Sequence, residues 1–268
     1  MKNNSKQIPR FILGASALTF CVWMSAGLGW LWWGNVTAPT RTQANPVTVQ
    51  VPEGATAESI GTQLQDAGLI RSLAAWKVWT RWASFRNPQG SFQTGTYELS
   101  TQSSLGDLAQ TIWTGQVKQA GFTIPEGWSL KEMGAYFEQQ GWFTADAFLK
   151  ATHQIPRDRF PWLPDTLPFL EGFLFPDTYQ IPIDQRSPDA IVAIMLKRFE
   201  DQALPLYEKR QGLADLTLND WVTLSSIVEK EAVVPQERPL IAGVFWNRLR
   251  QSIALGSDPT VEYGLGIK

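Results

Sequence analysis

The sequence predicts an α+β chain: an apolar N-terminal helix, then a small strand–helix module, then a larger mixed domain. Three observations lead there. Residues 11–33 run for 23 positions without a charge. A strand–turn–helix pattern occurs twice, shifted by 73 residues. The last third alternates polar and apolar residues with the period of amphipathic helices.

Composition agrees with a folded chain. Of 268 residues, 44% are hydrophobic and 18% charged, and the formal charge is −2, which gives no electrostatic reason to expect nucleic acid as a partner. Cys21 is the only cysteine, so an internal disulfide, a zinc cluster of cysteines and a thioredoxin-type pair are excluded. The single histidine, His153, cannot form a histidine pair, and no nucleophile elbow accompanies it, so it reads as an ordinary surface or loop residue. Thirteen tryptophans are many for this length. Core packing is the plainer explanation, and platforms for sugar rings are the alternative.

At about 1.5 Å per residue, FILGASALTFCVWMSAGLGWLWW is long enough to cross a hydrocarbon core of about 30 Å. Lys2, Lys6 and Arg10 precede it, and no charge follows before Arg41. The positive-inside bias therefore predicts a cytoplasmic tail over residues 1–10, an anchor over 11–33 and an extracytoplasmic remainder. A cleaved signal peptide would have a shorter apolar core and a small-residue cleavage site, not a bulky Trp32-Trp33 end. Residues 34–46, polar with two prolines, read as a linker.

The segment VPEGATAESIGTQLQDAGLI at 51–70 returns at 124–143 as IPEGWSLKEMGAYFEQQGWF. Each copy has a short β run ending in Pro-Glu-Gly. A Thr or Ser (Thr56, Ser129) then stands where a helix N-cap belongs. Gly68 and Gly141 stand where the helices should end as C′ glycines. A strand candidate near 95–99 and a helix over 105–113, capped by Ser103 or Ser104, complete a β-α-(α)-β-α module over 47–119. Residues 120–268 form the second domain.

In that domain the stretch SSIVEKEA places Glu229 and Glu231 at the end of an apolar helical run. Thr217-x-x-Asp220 is a capping-box-like start, and Pro235 limits the far end. With Trp221 at 0° and about 100° per residue, Trp221, Val222, Leu224, Ile227, Val228 and Ala232 average about 344°. Glu231 lies about 64° from that direction and Glu229 about 96°, so the two carboxylates point apart and cannot share one task. Glu231 is then the better candidate for a half-buried acid whose pKa burial would raise. The other reading is that both are solvated and paired with Lys230 or Arg238. The following stretch, with Ile241, Val244, Phe245 and Leu249 on one stripe, predicts a second core helix. It runs through Asn247 into GSDPTVEYGLG, read as a loop, where Asp258, Thr260 and Tyr263 offer hydrogen bonds. Upstream, LEGFLFPDTYQIP brings Glu171, Asp177 and Tyr179 beside bulky apolar residues.

IVEKEAVVPQERPLIAGVFWNRL with SDPTVEYGLG, and EGFLFPDTY before them, resembles the YceG-like family of endolytic murein transglycosylases. That resemblance implies a membrane-anchored protein of the bacterial inner membrane, with a LysM-like module ahead of the catalytic domain. It implies no cofactor and no metal, peptidoglycan glycan strands as substrate and peptidoglycan synthases as partners. It assigns the catalytic glutamate to Glu231, and gives Glu229, Asn247, Asp258, Thr260, Tyr263 and Glu171 as substrate-binding or bracing residues. The family pattern continues beyond the last motif present here, so the catalytic domain is expected to be incomplete. The rival expectations are a non-catalytic peptidoglycan-binding protein and a hydrolytic glycosidase.

Overall fold

Helix α1 (Arg10–Thr37) opens the chain, and the first strand, β1 (Pro46–Val51), pairs antiparallel with β2 (Gly95–Ser100). This computed structural model describes residues 10–41, 43–209 and 216–265; the side chains of residues 10–22 and 26 lie outside the description. Of the expected tail over residues 1–10, residues 1–9 also lie outside it. Among the described residues no helix is long and apolar enough to cross a membrane.

The chain forms two compact units, Met1–Gln119 with Pro182–Asp184, and Ala120–Ile181 with Gln185–Lys268. In the first, α2 (Ala57–Asp66), α3 (Leu73–Arg86) and α4 (Leu105–Trp113) cover one face of the β1–β2 pair. The register places Val49 opposite Tyr97 and Val47 opposite Leu99, so the apolar side chains share one face of the pleat. Trp76 is fully buried among them, its indole N–H donating to the Ala57 carbonyl at 2.6 Å. The helix starts are where local chemistry puts them. Thr56 and Ser104 accept from backbone N–H groups three residues on, and Ser104 forms a reciprocal capping box with Asp107.

Residues 34–46, read as a linker, depart from that expectation. Helix α1 continues to Thr37, and Trp33 and Val36 pack on the core of this unit. Buried Thr101 then fixes the rest: its carbonyl accepts from the Thr40 and Arg41 N–H groups, and its hydroxyl donates to the Gln43 carbonyl at 3.0 Å. Polar composition hid these partners, because they lie some sixty residues away in sequence.

The second unit opens with the other repeat copy, β3 (Gln119–Thr123) and α5 (Leu130–Gln139), the helix being capped by Ser129 with Glu132. Both copies end alike. The Leu69 N–H donates to the Leu64 carbonyl and Gly68 to Gln65; Trp142 donates to Phe137 and Gly141 to Glu138. These are Schellman motifs with glycine at φ +70° and +69°. The copies differ in their partners, since β1 pairs with β2 while β3 pairs with β4 (Thr178–Pro182). Helices α6 (Ala145–His153), α7 (Pro188–Gln202) and α8 (Leu204–Lys209) enclose an aromatic core around Phe122, Phe137, Phe148 and Phe173. His153, exposed at the end of α6, has its Nδ1 2.7 Å from the Leu149 carbonyl, an ordinary helix-end contact.

Three helices complete the unit: α9 (Leu218–Glu231), α10 (Arg238–Arg250) and α11 (Asp258–Leu265). Two of them correct the sequence expectation. On α10 only Phe245 is buried, while Leu240 is 73% exposed and Val244 half exposed, so it is not a core helix. An apolar stripe shows what a helix can bury, not that a partner covers it. The stretch expected as a loop is helical from Asp258, with Pro259 in the first turn, where a missing N–H leaves no bond unmade.

Candidate functional site

Helix α9 delivers the paired glutamates. Thr217 accepts from the Asp220 N–H, and its hydroxyl donates to the Asp220 carboxylate at 2.7 Å, so the start follows from the Thr-x-x-Asp pattern. The helix then runs without interruption to Glu231, its last residue, and Ala232 leaves the helical conformation.

The two carboxylates have separate partners, as their projection requires. Glu229 is half-buried and accepts from Arg238 Nη2 at 2.9 Å. The same nitrogen lies 3.5 Å from Glu126, so Arg238 joins α9 to the second Pro-Glu-Gly turn. Lys230 lies over that turn as well: a methyl added at Gly127 would be 3.6 Å from its Cε. The pairing with Arg238 held open by the sequence is thus the arrangement at Glu229.

Glu231 is exposed, and the expected half-burial is not what the structure has. The residues that α9 buries are Leu218, Val222 and Val228. On the same wheel they average about 50°, some 30° from Glu229 and about 130° from Glu231. The projection averages six apolar side chains from Trp221 onward, whereas the packing uses Leu218 and leaves Leu224 and Ile227 only partly covered.

What holds Glu231 is Ser257, whose hydroxyl donates to Oε2 at 3.0 Å. Ser257 is 2% exposed and stands immediately before α11. Its carbonyl accepts from the Thr260 N–H at 3.2 Å and from the Thr260 hydroxyl at 2.6 Å, which closes the first turn. Sequence reasoning quoted the Ser-Asp-Pro-Thr stretch but passed over its serine. The available signal was a hydroxyl residue directly before a helix start with proline in its first turn.

The far end of α11 is tied down by Tyr263, which donates to Glu171 Oε2 at 3.1 Å. Glu171 also accepts from the Leu130 N–H at the start of α5, at 3.0 Å. Burial pushes the Glu171 carboxyl above its usual range, the bonds from Leu130 and Tyr263 oppose this, and nearby Glu132 adds to it. Tyr263 is pushed up to about 12, by burial first and then by Glu171. Gly172 makes the approach possible: its φ is +80°, and an added methyl would sit 2.7 Å from Val222 Cγ1 on α9.

Of the remaining candidates, Thr260 is engaged in the turn of α11, while Asn247 on α10 and Asp258 at the start of α11 are exposed. The structure therefore brings Glu231 together with Ser257, and Glu171 with Tyr263, along opposite ends of one short helix. Arg238, Glu126 and Ser257 are the members that sequence reasoning left outside the site.

Comparison with known proteins places the chain in a family. The model of the YceG-like family matches residues 49–268. An endolytic murein transglycosylase of Streptococcus pneumoniae strain R6 is 32% identical over 244 residues, 82% of this chain and 43% of its own length. One from Bacillus subtilis strain 168 is 25% identical over 237 residues, 82% of this chain and 63% of its own. The chain thus spans less than half the length of the pneumococcal relative. The crystal structure of a yceG-like protein from Listeria monocytogenes superposes with a TM-score of 0.50 and 27% identity, covering 83% of this chain and 76% of that one. The family match extends over both repeat copies and all three helices of the site, and the chain belongs to the YceG-like family.

Proposed function

We propose that this chain acts as an endolytic murein transglycosylase. It cleaves the β-1,4 bond between N-acetylmuramic acid and N-acetylglucosamine within peptidoglycan strands, and so ends the elongation of nascent glycan. The observation that carries the proposal is the hydrogen bond from Ser257 to Glu231. It joins two motifs 26 residues apart around one exposed carboxyl group. The relatives named as endolytic murein transglycosylases support the reaction class.

Glu231, protonated, gives its proton to the glycosidic oxygen as the bond from that oxygen to C1 breaks. The resulting carboxylate takes the proton of the muramic C6 hydroxyl as O6 bonds to C1. The product is a 1,6-anhydro end, no water is consumed, and Glu231 regains its proton. One carboxyl group serves both steps because the substrate supplies the nucleophile. A hydrolase would need a second, about 5–5.5 Å or about 6.5–9.5 Å away, and Glu229 is instead paired with Arg238. Because Glu231 is open to solvent, a glycan strand can lie across it. Ser257 orients the carboxyl, Asn247 and Asp258 meet sugar hydroxyls or acetamido groups, and Glu171 and Tyr263 brace α11.

The same proposal places residues 11–33 in the inner membrane as a single-pass anchor, with the N-terminus cytoplasmic and both units outside. The uncharged run and the preceding Lys2, Lys6 and Arg10 support this. The first unit serves as the LysM-like module, and peptidoglycan synthases are the expected partners. The rival reading, a non-catalytic peptidoglycan-binding protein, draws on the exposure of Glu231. Mass spectrometry of strands incubated with the chain tests the reaction. Anhydro ends support the transglycosylase, reducing ends would show a hydrolase, and uncleaved but bound strands would favour the binding protein.

A further inference from the structure

We propose that helix α3 lies on the membrane surface, its exposed aromatic stripe set into the outer leaflet and its arginines against anionic phospholipid headgroups. This rests on the anchor reading above.

The helix has two faces of different character. Toward the core it presents Ala75, Trp76, Thr80 and Ala83, all buried. On the opposite side Val78, Trp82 and Phe85 are 52%, 50% and 85% exposed. With Val78 at 0° and about 100° per residue, Trp82 falls at about 40° and Phe85 at about 340°, a continuous stripe. The buried residues average about 140°, so the stripe faces away from the unit's own core. Arg81 falls at about 300° and Arg86 at about 80°, one on each side of it. Arg86 stacks over the Trp82 ring at 5.0 Å. No acidic residue occurs on α3, and its third basic residue, Lys77, is paired with Glu58 of α2 at 2.8 Å.

An apolar stripe with tryptophan and phenylalanine, flanked by arginines, is the pattern of helices that lie in the interface plane. Stacked arginine keeps its charge at headgroup level while its plane covers an aromatic ring. Charge complementarity therefore favours an anionic bilayer over an apolar protein groove.

The connection to α1 supplies the geometry. Arg71, just before α3, donates to Asn35 Oδ1 at 3.0 Å and to the Pro39 carbonyl at 2.5 Å. Trp33 and Val36 of α1 pack on the core of the same unit, and Thr101 holds Thr40, Arg41, Gln43 and Asn45. Arg71 thus ties the start of α3 to the end of α1, so α3 begins beside the outer end of the apolar helix.

The test uses the full chain with Cys21→Ser and one new cysteine carrying an environment-sensitive fluorophore, at Phe85→Cys or, as control, at Gln65→Cys on α2. Each is reconstituted into phosphatidylcholine vesicles with or without phosphatidylglycerol, and flotation is read beside quenching by lipids brominated near the headgroup. The expected result is flotation of both, with blue-shifted and quenched emission at position 85 only. Adding Arg81→Glu and Arg86→Glu should reduce the quenching several-fold in phosphatidylglycerol vesicles. A chain that floats but shows no quenching at position 85 overturns this proposal and leaves the anchor standing. Blue-shifted emission without quenching would mean that protein covers the stripe, which also overturns it. A chain that fails to float overturns the anchor reading and this proposal together.

Discussion

Ser257→Ala isolates the contact on which the proposed chemistry depends. The substitution removes one hydroxyl, bonded to Glu231 Oε2 at 3.0 Å, from a residue 2% exposed. A hydrogen bond to a charged group is worth about 1.5–3 kcal/mol when the remaining partner stays buried. Here the carboxylate is exposed and water replaces the lost donor, so the cost falls to about 1 kcal/mol. The turn of α11 survives, because Thr260 bonds the Ser257 carbonyl and not its hydroxyl. Chemical denaturation should therefore show a loss of about 1 kcal/mol with unchanged cooperativity. In turnover a similar loss of orientation at the acid should lower kcat about fivefold to tenfold and leave KM nearly unchanged. The assay is the rate of anhydro-end formation over a range of strand concentrations. Wild-type kcat in Ser257→Ala would refute the positioning role. A rise in KM at constant kcat would make Ser257 a substrate contact instead.

Two other substitutions read the support beneath the site. Glu171 titrates above its usual range in the folded chain, so the folded state holds that proton to higher pH than the unfolded one. Its contribution is favourable below the unfolded value and declines as pH rises through the folded one; Glu171→Gln should flatten that slope in a series of melts, and an unchanged slope would count against it. Gly172→Ala combines a φ of +80° with a methyl 2.7 Å from Val222 Cγ1, and should cost at least about 2 kcal/mol by denaturant midpoint.

How far the sequence carried depended on how local each cause was. Thr56, Ser104, Ser129 and Thr217 stood at helix starts because a cap acts within three residues, and Gly68 and Gly141 ended helices for the same reason. Burial on α9 and α10 was not legible, since it depends on which neighbours arrive: Leu218 was used, whereas Leu240 and Val244 were left exposed. Glu231 followed from the motif, but its partner Ser257 came through tertiary approach. The repeat was visible while its consequence was not. The second Pro-Glu-Gly turn meets α9, through Arg238 and Glu126.

The central claim is that one glutamate of the Glu-Lys-Glu motif does the chemistry. Glu231→Gln and Glu229→Gln, each compared with the wild type for anhydro-end formation by mass spectrometry, test it most directly. The account predicts that Glu231→Gln lowers the rate by about 10²–10⁴-fold with its melt unchanged, while Glu229→Gln keeps most of its turnover. Anhydro ends formed at the wild-type rate by Glu231→Gln, or abolished by a folded Glu229→Gln, would contradict it.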